Sequence, residues 1–433
     1  MSTTPGTPPD TPPGTQPETQ SAGPVEMSQA TPSTVATTGE TLQDAVRRWW
    51  QGVKGGDLGS LPIFVGLIII AIVFQSQNDQ FLTAGNFVNL IVQMAAYAVI
   101  GMGIVFVLLL GEIDLSVGYV SGVAGVIAAL LLLPDGNEVP ATVAILAALG
   151  AGAAIGVLHG LIITKIGVPS FVVTLAGLLA WNGVVLLLIG DRGTVVLQND
   201  TIISFANDFL SPGVAWLILG ASIALYAAIL FGARRARAKA GLPAHPDVLL
   251  VARVVALGVV GAIVVAVANQ DRGIPYVFVA LTILYLFWTY VLNRTKFGRH
   301  IYAVGGNIEA ARRAGINTDN VRIACFAICS FMAAMGGIFL ASRLRSVDTN
   351  AGGGSILLYS IAAAVIGGTS LFGGRGHMKS AVLGALVIAS IDNGLGLLGL
   401  SSGTKFVVTG LVLLAAVTVD SFARRRQERA GRA

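Results

Sequence analysis

Long apolar segments alternate with short polar ones through most of this 433-residue chain. The segments are about 20 residues long, the length that a helix needs to cross roughly 30 Å of hydrocarbon. The pattern predicts an all-α fold, a polytopic membrane helix bundle with about twelve spans. The predicted spans are 61–77, 87–110, 116–133, 140–163, 170–190, 213–231, 249–268, 275–293, 321–341, 356–372, 378–398 and 405–420.

Two polar, glycine-rich segments interrupt the apolar pattern. The first reads GEIDLSVG at 111–118, and the second reads GGTSLFGGRG at 367–376. Irregular backbone is tolerated at membrane depth only where protein buries it or where it lines a water-filled cavity. Both segments are therefore predicted to break a helix beside such a pathway.

A short repeat points to two related halves. FVVT occurs at 171–174 and again at 406–409, and each copy follows a glycine, Gly160 or Gly394, by eleven or twelve residues. Internal repeats are common among membrane proteins that move solutes. The repeat therefore favours a bundle built from two related halves.

Composition agrees with a chain that lipid solvates. Hydrophobic residues make up 54% and charged residues 11% of the sequence, whereas soluble domains have about 25% charged residues. We expect one membrane domain at 47–421 and a basic tail at 422–433. The tail at 1–46 is rich in Pro and Thr and lacks the apolar stretch of a signal peptide, so it is predicted to be disordered.

Basic residues cluster in particular connections between the apolar runs, as the positive-inside rule requires. An even number of crossings then places both termini in the cytoplasm, with a multi-pass chain in the plasma membrane. Arg343 and Arg345 fall on the outer side and do not follow the rule. The residues predicted to be cytoplasmic include Arg47, Arg48, Lys54, Lys165, Arg234, Arg235, Arg237, Lys239, Arg294, Lys296, Arg299, Arg312 and Arg313.

Several polar side chains within or beside the spans are candidates for a conduction path or its gate. Glu112 and Asp114 are costly near the bilayer, so they mark either a pathway or the start of a helix near Ser116, which Asp and Ser can cap. The other candidates suit hydrogen bonds to a polar solute or to a neighbouring helix. The full set is Glu112, Asp114, Ser116, His159, Asn182, Asp392 and Asn393.

Small residues predict close helix packing. Gly152, Gly156 and Gly160 recur every four residues and form one helix face that another backbone can approach. Cys325 and Cys329 are also four apart, and no His or carboxylate accompanies them in the sequence, so we interpret them as packing residues. We expect no metal site and no cofactor.

The basic segment 296–317 is predicted to contain a short helix on the cytoplasmic face. Ala, Glu and Arg favour helix, and Gly315 can end it in a left-handed conformation. The helix could equally lie on the lipid surface, held by charge. The residues that define this helix are Glu309, Ala310, Ala311 and Gly315.

Local motifs for enzymatic chemistry are absent from the sequence. No Gly-Lys dipeptide occurs, so the chain lacks the GxxxxGK[ST] loop that binds nucleotide phosphates. The HExxH motif and paired Cys ligands are absent as well. The sequence therefore predicts a protein that is not an enzyme and does not hydrolyse ATP through such a loop.

Six segments carry a specific combination of motifs. They are GEIDLSVG (111–118), VPSFVVTLAG (168–177), RGIP (272–275), FGRHIYAVGGNIEAARRAGIN (297–317), IGGTSLFGG (366–374) and IDNG (391–394). Over residues 86–420 the chain resembles the permease subunits of binding-protein-dependent importers for ribose, xylose and related sugars. Glu112, where the ribose branch usually has glycine, and the additional segment 232–268 resemble the xylose branch. Phe372 departs from the family, in which a small residue is more common at this position.

The resemblance implies a division of labour among several proteins. An extracytoplasmic sugar-binding protein would deliver a monosaccharide: D-xylose, or otherwise ribose or a related sugar. Two permease copies would form the path, and a separate ATP-binding subunit would dock on the segment with Glu309 and Gly315. The alternative function is a proton-coupled secondary sugar transporter that uses Glu112 or Asp114 as its proton carrier.

Overall fold

The computed structural model describes residue 47 and residues 60–134, 139–242 and 247–429. The predicted tail at 1–46 lies outside the described residues. Within them are fifteen complete α-helices and two short strands, β1 Thr194–Val196 and β2 Ser346–Asp348. The helices are α1 Leu61–Gln77, α2 Ala84–Leu109, α3 Val117–Leu131, α4 Ala141–Leu161, α5 Ser170–Ile189, α6 Asp200–Asn207, α7 Pro212–Lys239, α8 Asp247–Ala268, α9 Tyr276–Arg294, α10 Lys296–Gly306, α11 Ile308–Arg313, α12 Thr318–Leu344, α13 Ile356–Ile366, α14 Met378–Leu397 and α15 Ser402–Arg429.

Among the described residues, eight helices are long and apolar enough to cross a membrane, and four shorter apolar helices accompany them. The eight are α2, α4 with the π turn Ile162–Ile166, α5, α7, α8, α9, α12 and α14. The four are α1, α3, α13 and the part Ser402–Ala415 of α15. Each predicted apolar run thus corresponds to one helix, which confirms a polytopic helical membrane bundle.

Two predicted boundaries differ from the structure. The run 356–372 contains a helix only over Ile356–Ile366, because Gly367 and Gly368 follow it and Gly368 has a φ of +100°. At 1.5 Å per residue, this helix is only about 16 Å long and cannot cross the membrane alone. The other difference is at the C-terminus, where α15 continues to Arg429, so the predicted tail 422–433 begins within a helix.

An antiparallel pair of helices, α2 and α12, lies at the centre of the bundle. A Cβ on Gly103 of α2 would lie 2.9 Å from the Cys329 carbonyl oxygen, so the two backbones nearly touch. Nearer the start of α2, Ala96 approaches Gly336 in the same way. Cys325 and Cys329 are free thiols buried in this packing.

Helix α4 packs against the same central helix through its glycine face. A Cβ on Gly152 would lie 2.8 Å from the Ser330 carbonyl oxygen, and one on Gly160 would lie 2.7 Å from the Ile323 Cα. Gly156, between them, makes a still closer contact with α12. A side chain at any of these positions would push the two helices apart.

The bundle consists of two halves, α2–α5 and α12–α15, which exchange their first helices. The first helix of each half packs against helices of the other half. Helix α12 packs against α3 and α4, which follow α2, while α2 packs against α13 and α14, which follow α12. Helix α3 packs on α5 as α13 packs on α15. Because α2 and α12 are antiparallel, the second half repeats the first in the opposite orientation, as in inverted-repeat transporters.

Local structures also recur between the halves, 234 residues apart (348 minus 114, for example). Thr83 and Asn317 cap α2 and α12 with their side chains. Asp114 and Asp348 each accept a hydrogen bond of 2.9 Å from the backbone N–H two residues later. Gly111, with a φ of +77°, corresponds to Arg345, with a φ of +54°. The repeat indicated by FVVT therefore extends over whole halves.

The connection between α5 and α7 folds onto the end of α12. Strand β1 pairs with β2, which follows α12. Arg345 donates a hydrogen bond of 3.2 Å to Asn207 at the end of α6, and Arg343 lies close enough to the Tyr97 side chain to interact with it electrostatically. The two arginines that do not follow the positive-inside rule thus have partners within this end of the bundle.

Candidate functional site

The first interruption lies between α2 and α3. Gly111 takes a left-handed conformation, which glycine adopts without steric cost. Asp114 follows, and it is only 1% exposed. Its Oδ1 accepts hydrogen bonds from the Ser116 backbone N–H at 2.9 Å and from the Ser116 hydroxyl at 2.6 Å. Asp114 therefore stabilises the first turn of α3, where a negative charge is favourable.

A chain of polar side chains continues from Asp114 across three helices. The Ser116 Oγ lies 3.4 Å from His159 Nδ1 on α4, and Trp181 on α5 donates its Nε1–H to His159 Nε2 at 3.1 Å. Because indole N–H is only a donor, His159 Nε2 must accept, which leaves a neutral ring with its proton on Nδ1. Hydrogen bonds then run from Trp181 through His159 and Ser116 to Asp114.

Glu112 connects the same interruption to the central helix α12. Its carboxylate forms an ion pair with the Arg322 guanidinium, and the two side chains are only 13% and 21% exposed. A buried carboxylate without such a partner would be costly in the membrane. The pair therefore fixes the start of the interruption against the first turns of α12.

Two members of these networks, Arg322 and Trp181, are missing from the candidates chosen by sequence. Arg322 had a detectable signal, because it is a single cation inside the predicted span 321–341 and such a cation needs a counter-charge. Trp181 had none, since an aromatic residue in an apolar run is typical of helix packing.

The second interruption, 367–376, lies directly against the first. Gly374 donates its backbone N–H to the Leu109 carbonyl oxygen at 2.8 Å. A Cβ on Gly111 would lie 3.3 Å from the Phe372 carbonyl oxygen. The structure thus brings together two segments that are more than 250 residues apart in the sequence. The Phe372 side chain, which departs from the family pattern, is 83% exposed and points away from this contact.

The remaining polar candidates lie elsewhere. Asn393 accepts a hydrogen bond of 2.8 Å from Asn86, which joins α14 to α2. Asp392 accepts one of 3.4 Å from the Tyr359 hydroxyl on α13. Asn182 is partly exposed on α5, one residue after Trp181. The seven candidates therefore divide into a cluster at the first interruption, a pair on α14 and the separate Asn182.

The predicted helix in the segment 296–317 is confirmed as α11, preceded by the longer helix α10. The Asn307 side chain caps α11 by accepting from the Ala310 N–H at 2.9 Å, and Gly315 follows with a φ of +81°. Ala311 is buried, whereas Glu309 is exposed and pairs with Arg312 at 3.1 Å. One face of α11 is thus anchored and the other is available to a partner.

The polar residues at the two helix breaks are not arranged as a group of metal ligands. Across the ranges that the structure describes, no three His, Cys, Asp or Glu side chains come together as metal ligands. The site consists of paired charges and directed hydrogen bonds at two helix breaks. Such an arrangement can position backbone and exchange hydrogen bonds with a polar solute.

Comparison with known proteins decides the family. Residues 86–417 match the family described as branched-chain amino acid transport system / permease component. The chain is 36% identical over 405 residues to the xylose transport system permease protein XylH of Escherichia coli K12, which covers 92% of this chain and 100% of the relative. The chain belongs to this permease family.

Other relatives agree with this assignment. The permease is 35% identical over 376 residues to XylH of Haemophilus influenzae, covering 85% of this chain and 98% of the relative. It is 31% identical over 357 residues to the ribose import permease protein RbsC of Escherichia coli K12, covering 82% and 92%. No solved structure matches it. These findings confirm a permease subunit of a ribose/xylose-type ABC importer, which works with an ATPase and a sugar-binding protein and is not itself an enzyme.

Proposed function

We propose that this permease conducts D-xylose into the cell as one of two identical copies in the bacterial cytoplasmic membrane. The observation that carries the proposal is the 36% identity to a xylose transport system permease over 92% of the chain. Glu112 adds support, because its presence resembles the xylose branch, and its pairing with Arg322 gives it a defined place beside the helix break.

The ionisable groups of the first interruption favour a neutral cargo. Glu112 is paired with Arg322, and Asp114 stabilises the start of α3. A zwitterionic amino acid would need charged partners along its path, because an unpaired charge in the membrane costs about 3 kcal/mol or more. A sugar needs only hydrogen-bonding groups. This argument favours a sugar over the branched-chain amino acids that the family description names.

Uptake by cells that lack their own pentose transporters tests the cargo. Cells that make the permease with its ATPase and sugar-binding protein should accumulate labelled xylose, and excess unlabelled xylose should abolish the signal. Excess leucine should have no effect, because an amino acid does not compete with a pentose for a sugar importer. Entry of ribose but not xylose would replace the proposed sugar, and entry of leucine alone would contradict the sugar class.

We assign ATPase docking to α10 and α11. Support comes from the exposed, charged surface of α11, with Glu309 63% and Arg312 56% exposed. Arg294 and Lys165 belong to the same end of the bundle, since Lys165 pairs at 2.9 Å with Asp319 at the start of α12. This concentration of positive charge favours a cytoplasmic orientation for this end and therefore for both termini.

A second copy is proposed because the family resemblance implies two permease copies, and the small size of one cavity agrees with this. The cavity between α3, α12 and β2 has a volume of about 50 Å³, whereas ligand pockets measure about 300 Å³ or more. A path between two copies would supply the missing room. Two differently tagged copies should therefore co-purify from detergent, and isolation of each copy alone in an active importer would contradict the pair.

A further inference from the structure

Three segments meet where the docking helix α10 ends. The C-terminal end of α10 contacts the end of α2 and the loop of the second interruption. The meeting point is formed by Gly111, Gly305, Gly373 and Gly374, which we call the glycine junction. Through it, the helix assigned to ATPase docking contacts the end of α2 and the second helix break, and the second break in turn contacts the first at Gly111.

The contacts at the glycine junction are made by backbone atoms and leave no space for side chains. A Cβ on Gly305 would overlap the Leu109 carbonyl oxygen and lie 3.0 Å from the Gly374 nitrogen. A Cβ on Gly373 would lie 2.7 Å from the Gly305 carbonyl oxygen. Gly373 also has a φ of +86°, which disfavours any other residue. Movement of α10 cannot be absorbed here by rotation of side chains, so it displaces the neighbouring backbone.

Tyr302 provides a second connection between α10 and the second interruption. Its hydroxyl donates a hydrogen bond of 2.7 Å to the Gly376 carbonyl oxygen. Burial raises the pKa of the Tyr302 hydroxyl above its usual value, so the hydroxyl keeps the proton that it donates. Ile301 and Val304 on the same helix are buried against the bundle. Helix α10 is thus attached at its end by the glycine junction and along its length by Tyr302.

We propose that the glycine junction and Tyr302 transmit movement of the docking helices to both helix breaks, and thereby couple ATP hydrolysis to opening of the sugar path. The proposal rests on the docking role assigned above to α10 and α11. At the first break, a displacement of Gly111 reaches Glu112 and its ion pair with Arg322 directly. At the second, Gly373 and Tyr302 act on the loop that separates α13 from α14.

Gly305→Ala and Tyr302→Phe test this coupling. The first adds a methyl group at the closest backbone contact, and the second removes only the hydroxyl that bonds to Gly376. Gly306→Ala is the matched control, because a Cβ there has no other atom within 4 Å. Each variant is reconstituted in lipid vesicles with the ATPase and the sugar-binding protein. Assembly, ATP hydrolysis and sugar uptake are measured on the same preparation.

Both test variants should assemble with the ATPase and still hydrolyse ATP. The amount of sugar transported per ATP should fall about threefold or more, as expected for the loss of roughly 0.7 kcal/mol or more of coupling. The control variant should transport normally. A merely structural role would lower assembly and uptake together and leave the ratio unchanged.

The proposal fails if Tyr302→Phe keeps the normal ratio of sugar to ATP, and this variant decides the matter if Gly305→Ala does not fold. Glu309→Lys, measured in parallel, separates this failure from that of the proposed docking role. If Glu309→Lys prevents assembly while Tyr302→Phe is normal, docking stands and the glycine junction does not transmit movement. If Glu309→Lys assembles and transports normally, the docking role itself is wrong.

Discussion

Replacing Glu309 with lysine is expected to weaken binding of the ATPase subunit about tenfold, since like charges brought together at an interface cost more than 1 kcal/mol. Glu309 is 63% exposed in the first turn of α11 and pairs with Arg312. The substitution removes the only acidic side chain of α11. The positive charges of Arg312 and Arg313 then have no negative charge within the same helix to balance them. Sugar uptake should fall with assembly, and co-purification of the two subunits measures the effect.

Lys239→Glu is the matched control for this experiment. It reverses one exposed charge in the last turn of α7, a helix outside the segment 296–317. The Lys239 variant should assemble normally with the ATPase. That result would show that reversing an arbitrary exposed charge does not weaken binding of the ATPase. Equal binding by the Glu309 and Lys239 variants, at normal expression, would rule out the docking surface.

Removing one partner of the ion pair between Glu112 and Arg322 is expected to destabilise the permease severely. Arg322→Gln leaves the Glu112 carboxylate buried without a counter-charge, and such changes cost about 3 to 5 kcal/mol. Neutralising both residues, Glu112→Gln with Arg322→Gln, should restore most of this loss. Thermal unfolding of the purified variants in detergent measures the three effects.

The exposed pair of Asp271 and Arg272 serves as the control for a surface ion pair. Its side chains are 31% and 46% exposed, so breaking it should cost about 1 kcal/mol or less. Asp271→Asn breaks it and leaves the contacts of Arg272 with Asn89 and Phe209 in place. If Arg322→Gln were no more destabilising than Asp271→Asn, or if the double neutral variant were no better than Arg322→Gln, the pair at the first interruption would not hold α12 in place.

The apolar runs predicted the helices well because length and hydrophobicity alone decide which segments enter a bilayer. The run 356–372 was drawn too long, because the helix ends at Ile366 and the predicted interruption 367–376 follows it directly. Helix α6 and the strands β1 and β2 were missed. They are short and are stabilised by contacts at the end of α12. The residues that make these contacts are more than 130 positions apart in the sequence.

The sequence pointed to four polar residues at the first interruption, but not to Arg322, to Trp181 or to the connections between them. Glu112, Asp114 and Ser116 were identified as polar groups in an apolar context, and His159 by the same argument. Ser116, His159 and Trp181 meet within the first half, whereas the pairing of Glu112 with Arg322 depends on the exchange of halves, which brings α12 against α3 and α4. The tetrapeptide FVVT was too short to establish that exchange. The offset of 234 residues between Asp114 and Asp348 is a stronger indication of the repeat. It becomes apparent only in the structure, where both residues make the same hydrogen bond in a turn.

The central claim is that the permease moves sugar by coupling to a separate ATPase. Vesicles that contain the permease and the ATPase, supplied with the sugar-binding protein and labelled xylose, test it most directly. Uptake should require ATP, should stop when the ATPase is omitted, and should persist when the proton gradient is abolished. Uptake that continues without the ATPase and disappears with the proton gradient would contradict the account and favour Glu112 or Asp114 as a proton carrier.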